Sequence, residues 1–148
     1  MKSLLRLSMC LAIAALTALS FASCGKKKSD QLTIGISIPS ADHGWTGGVV
    51  WWAEQAKKNW EAKDPGIKVI VSTAKDASEQ VDKVENLMVQ GIDALVILPH
   101  DPSPLTGICE QAAKAGVYLV VVDRGLDKPV QNLYLAGDNA GFGRGGAE

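Results

Sequence analysis

From Leu32 to Val122 the apolar positions switch repeatedly between a period of two and a period near 3.6. Each switch predicts a strand giving way to a helix or the reverse. Leu32–Ile38 places bulky residues on one strand face and small ones on the other, and Pro39 ends it. A helix is expected from about Gly47 to Lys63, with Val49, Trp52, Ala53, Ala56 and Trp60 on its apolar face. Glu54, Lys57, Lys58 and Glu61 fall opposite, and Trp51 falls with them. Asp64-Pro65-Gly66 stops this helix, and Ile67–Ser72 reads as a second strand.

Asp76 and Glu79 have the spacing of a capping box, opening a helix that aligns Ala77, Val81, Val84 and Met88 before Gly91. Asp93–Leu98 is a nearly continuous apolar run, as a strand buried on both faces requires. Asp101 with Pro102 starts a further helix, whose core positions are Leu105, Ile108, Cys109 and Ala112, and Gly116 closes it. Val117–Val122 and Asn132–Ala136 complete five strands. The alternation predicts an α/β fold, a doubly wound parallel sheet with helices on both faces. Right-handed crossovers favour the flavodoxin-like order 2-1-3-4-5.

The first 23 residues lie outside this pattern. Lys2 and Arg6 precede an uncharged run from Met9 to Phe21, and Ala22-Ser23 leads into Cys24. This is the layout of an export signal cut before Cys24, which would then carry lipid. The run is too short for a bilayer span of about 20 residues. A plain signal peptide or an uncleaved anchor are the competing readings. Residues 24–31 then form a lipidated cysteine and flexible tether, placing the domain on an extracytoplasmic, periplasmic face.

Cleavage leaves 125 residues, enough for one domain, and takes two positive charges from a formal net charge of −1, leaving −3. Such a balance offers no footprint for nucleic acid. Of three cysteines only Cys109 stays inside the domain, so no intrachain disulfide is available there. His43, His100 and Cys109 lie too far apart in sequence for a zinc motif, and no metal or cofactor is expected.

In an open α/β sheet, ligands bind beyond the carboxyl ends of the strands. Those ends deliver Asp42-His43-Gly44-Trp45-Thr46, then Thr73–Asp76, Pro99-His100-Asp101, Asp123-Arg124 and Gly137-Asp138-Asn139. Carboxylates and a guanidinium can bracket hydroxyl groups, and an indole offers a flat apolar surface to a sugar ring. The set suits a neutral polyol. No serine or cysteine occupies a nucleophile elbow, which argues against catalysis.

Each candidate has a plainer reading. Trp45 is either a stacking platform or a buried tryptophan over the first helix. Asp42 either touches ligand or caps that helix, and His43 is a contact or a solvated loop residue. Asp123 and Arg124 are contacts or a turn ion pair. Asp101 fits a helix cap better than a contact. Asp138 and Asn139 fit a hinge or turn. Gly141–Gly146 spells G-x-G-x-x-G, but it follows the last strand and no acidic residue lies about 20 positions on, so a dinucleotide site is not expected.

In the order of these segments the chain resembles the type I periplasmic sugar-binding proteins, the ribose- and galactose-binding class that serves ABC importers. The carriers are Thr33-Ile34-Gly35-Ile36 with its polar-aromatic loop, Gln90–Leu95, Val121-Val122-Asp123-Arg124 and Gly137-Asp138-Asn139. The resemblance implies sugar contacts at Asp123 and Arg124 and in the loop after the first strand, with His43, Trp45 and Thr46 standing where the family places an Asn and aromatic residues; Asp42 joins the candidates from its place at the strand end alone. It also implies a hinge at Asp138 and Asn139, a monomer, an ABC permease partner, and no enzymatic activity. Family members are about twice as long. Residues 32–139 would then be the first lobe and 140–148 the start of a crossing into a second. A chain limited to this lobe is expected to bind sugar weakly or not at all. Calcium, which some relatives hold, would need segments beyond these. A sensor for chemotaxis or a two-component system is the alternative, and an enzyme on the same fold a more distant one. A lactose-repressor-type regulator is disfavoured by the export signal.

Overall fold

The computed structural model describes residues 30–147. The readings on residues 1–23, on Cys24 and on most of the tether lie outside that range. Within it the elements are β1 (Leu32–Pro39), α1 (Gly44–Lys63), β2 (Ile67–Ala74), α2 (Ala77–Val89), β3 (Ala94–Ile97), α3 (Pro102–Lys114), β4 (Tyr118–Val122), β5 (Leu133–Leu135) and α4 (Asn139–Gly145). All five strands are parallel and lie in the order β2-β1-β3-β4-β5, as the alternation predicts.

Local chemistry sets the boundaries. Asp76 caps α2 by accepting from the Glu79 N–H at 2.8 Å, while the Glu79 carboxylate accepts from Lys75 N–H rather than from the cap residue itself. Asp101 caps α3 by accepting from Ser103 N–H at 3.3 Å, so its plainer reading holds. Gly91 and Gly116 follow α2 and α3 with φ of 78° and 85°, the left-handed exit that a side chain disfavours.

The core lies on one side of the sheet. Leu95 and Ile97 of β3 and Leu119 and Val121 of β4 are buried against Val84 and Leu87 of α2 and Leu105, Ile108, Cys109 and Ala112 of α3. The small face of β1 points this way. Gly35 sits where an added Cβ would lie 3.2 Å from both Ile92 Cδ1 and Leu87 Cδ1, so its bareness lets α2 approach. On the other side α1 packs on β2 and β1. Among the described residues no other helix covers that side. Val96, Val120 and Val122 are therefore only half-buried, and Leu133 and Leu135 are exposed.

Two expectations need correction. Helix α1 starts at Gly44, three residues early, because Thr46 at its third position ties down the start. Its hydroxyl accepts from His43 N–H at 3.3 Å and donates to Asp42 Oδ1 at 2.9 Å. The inward face of α1 is also turned from the expected one. Thr46 is its only buried residue, while Trp52 is 67% exposed and Trp60 is exposed too. Glu61, expected in solvent, accepts from Val69 N–H of β2 at 2.9 Å. Trp51 and Trp52 meet edge to face, with centroids 4.6 Å apart, and so shield each other rather than the sheet. In α2 the buried set is Gln80, Val84 and Leu87, with Ala77, Val81 and Met88 at the margin.

Candidate functional site

Parallel pairing sends every strand's carboxyl end to one edge, and the predicted site residues follow from that. Asp42, His43 and Trp45 leave β1 there, His100 leaves β3, and Asp123 and Arg124 leave β4. One bond draws two of these turns together: the Arg124 guanidinium donates to the His100 carbonyl oxygen, joining the β3 and β4 exits.

Asp42 is held below the usual carboxylate range, first by the hydrogen bond from the Thr46 hydroxyl and then by one from its own backbone N–H. Its carboxylate lies 3.5 Å from His43 Nε2. The residue therefore stays an acceptor through the neutral range. Asp42 does not cap α1. His43 occupies that position with extended backbone (φ −149°) and an exposed ring.

Asp123 has a φ of 63°, the one described non-glycine residue in the left-handed region. Strain at such a position is tolerated where surrounding bonds fix it. Here the Asp123 N–H donates to Leu135 O at 2.7 Å and the Tyr134 hydroxyl donates to Asp123 O at 2.7 Å. No ion pair joins Asp123 to Arg124 among the described contacts; Arg124 turns to His100 instead. The turn ion pair is thus overturned, and the guanidinium keeps donors to spare.

Trp45 is 51% exposed in the first turn of α1, which removes the buried alternative. Its indole lines a shallow groove with Gly44, Gly48, Val49 and Trp52. Sequence reading missed Gln80, which is fully buried and bonded to His100; a polar residue inside an apolar stripe was the available signal.

Asp138 caps α4 by accepting from Gly141 N–H at 2.8 Å. A Cβ at Gly141 would lie 2.2 Å from Asp138 Oδ2, so that glycine serves the cap. The described residues contain no cluster of His, Cys, Asp or Glu able to hold a metal, and no helix long and apolar enough to cross a membrane.

Residues 34–148 match the profile of the periplasmic binding protein domain. The chain belongs to that family. Among curated relatives, the ribose import binding protein RbsB of Bacillus subtilis is 35% identical over 116 residues, which are 78% of this chain and 36% of RbsB. The D-xylose-binding periplasmic protein of Haemophilus influenzae is 33% identical over 84 residues, 56% of this chain and 25% of that protein. The chain thus spans about a third or less of these relatives. Among solved structures, the fructose-binding periplasmic domain of a hybrid two-component system superposes with a TM-score of 0.67 at 27% identity, covering 78% of this chain and 37% of that one. A carbohydrate transporter solute-binding protein of Agrobacterium radiobacter in complex with D-arabinose gives 0.64 at 27% identity, covering 81% and 40%. These periplasmic binding protein relatives are named for what they bind, none for a reaction.

Proposed function

We propose that this periplasmic binding protein domain is the first lobe of an exported substrate-binding lipoprotein that captures a small carbohydrate for an ABC permease. Asp42, His43, Trp45, Asp123 and Arg124 contact the sugar. Asp42 and Asp123 accept from hydroxyls, Arg124 donates, and the exposed Trp45 indole packs against ring C–H groups. Cys24 carries the lipid anchor on the extracytoplasmic side. Asp138 and Asn139 act as the hinge towards a second lobe, and closure over the ligand follows the affinity difference between open and closed forms. The observation that carries this reading is the junction of the β3 and β4 exits, with Arg124 bonded to the His100 carbonyl.

Saturation-transfer NMR tests it at millimolar sugar, where weak binding by one lobe is still visible. A panel of pentoses and hexoses should include at least one that receives saturation from the protein, with the signal weakened but measurable in Arg124→Ala and Asp123→Asn. No transfer to any sugar, or transfer left unchanged by both substitutions, overturns the proposal.

A sensory role is the second reading, favoured by the likeness to a fructose-binding domain of a hybrid two-component system. Uptake of labelled sugar by cells carrying and lacking the gene separates the two, since a pure sensor leaves transport kinetics per permease unchanged.

A further inference from the structure

We infer that Gln80 is a positioning residue for Arg124, acting through His100 from inside the core. The inference rests on the sugar-contact reading of Arg124, but its geometry is independent of it. Gln80 lies on α2 with no exposed surface. Its Nε2 donates to Ser37 Oγ at 3.1 Å and to the Leu98 carbonyl at 2.9 Å, while its Oε1 accepts from His100 N–H at 2.7 Å. One amide therefore bridges the end of β1 and the exit of β3.

Only one amide orientation works. Leu98 O can only accept and the His100 N–H can only donate, so the nitrogen must face the former and the oxygen the latter. A buried amide with these partners filled is a rigid fixture, because turning it would strand polar groups away from water. The fixture holds His100 by its N–H, and the same residue's carbonyl oxygen takes the Arg124 guanidinium. Gln80 thereby sets where that carbonyl stands and, one bond further, where Arg124 points. A clamp made only for stability would not need to end on the group that aims a ligand donor.

Two substitutions of similar volume test this in the chain as it stands. Gln80→Glu removes both donors and sets an oxygen against Leu98 O, and Gln80→Met removes all three bonds. The readouts are the guanidinium signals of Arg124 by nitrogen-detected NMR without sugar, and sugar affinity by saturation transfer. In folded variants the Arg124 signals should move from their wild-type positions and affinity should fall about tenfold, as loss of one well-placed charged hydrogen bond implies. In an Arg124→Ala background Gln80→Met should weaken binding no further. Unmoved Arg124 signals in a folded variant, or effects that multiply, overturn the inference. Where both variants unfold, Ser37→Ala removes one bond of the three, and the Arg124 signals must still shift. If wild-type protein binds no sugar, the carbohydrate reading falls, and the guanidinium signals alone decide the role of Gln80.

Discussion

The Tyr134 hydroxyl of the edge strand β5 donates to the carbonyl oxygen of Asp123 at 2.7 Å, so the last strand steadies the turn that ends the one before it. With the Asp123 N–H taken by Leu135 O, both sides of that residue's backbone are held while its φ stays at 63°. The strained turn and the candidate ligand carboxylate are the same residue.

Conformation and chemistry can therefore be separated at Asp123. Asp123→Gly should leave stability within about 1 kcal/mol, since glycine accepts positive φ but enlarges the unfolded ensemble. Asp123→Val should cost about 1–2 kcal/mol, the penalty of a side chain in the left-handed region. Urea unfolding measures both, and both should abolish sugar binding. Equal stability of the two variants would show that the turn relaxes out of its left-handed geometry.

Trp45 offers the opposite contrast. Half-exposed and outside the core, it should be replaceable by Ala with a stability change within about 0.5 kcal/mol. Sugar affinity should still fall. Trp52→Ala, further along the same groove, should leave affinity unchanged. Thermal unfolding with saturation-transfer titration checks the pair, and loss of affinity only in the Trp52 variant would move the stacking surface one turn along α1.

Acid should weaken the start of α2. The Lys75 N–H, then Lys83, hold the Glu79 carboxyl below its ordinary value of 4.5. A depressed pKa in the folded state contributes stability that is present above the unfolded value and is lost as pH falls through the folded one. Stability measured in urea should thus decline below about pH 4.5. Glu79→Gln should flatten that decline in part, leaving the Glu110 carboxyl, lowered by Lys128 and Lys114, to supply more of it.

Alkali should act through Cys109. Burial in the core pushes its thiol from 9.0 up to about 12. The folded state keeps the proton that the unfolded state sheds, so this contribution to stability is full below pH 9 and is lost as pH rises towards 12. The thiol should resist an aromatic disulfide reagent at pH 8 until denaturant is added. Rapid labelling of native protein would mean that α3 opens locally. Cys109→Ala should remove part of the alkaline decline.

Much of this molecule is local and so was written in the sequence. Asp76 and Asp101 cap helices because a short acceptor just before a helix meets unpaired N–H groups wherever it occurs. Leu105, Ile108, Cys109 and Ala112 share the inward face of α3 because 3.6 residues per turn puts them there, and that stripe faces a densely packed side of the sheet. The strand order followed from alternation and handedness, rules that need no knowledge of side-chain contacts.

Tertiary structure decided what depends on which neighbour arrives. The tryptophans of α1 dominate its apolar pattern, yet Trp52 and Trp60 stay exposed while Glu61 turns in to Val69 N–H, because an edge-strand amide needs an acceptor. Gln80 looks like an interruption of an apolar stripe until β1 and β3 bring Ser37, Leu98 and His100 around it. The bond from Arg124 to His100 spans 24 residues and exists only because parallel strands end at one edge. Sequence fixes a residue's own preferences, whereas a buried polar partner or a shared rim is a property of two chain segments and appears only when they meet.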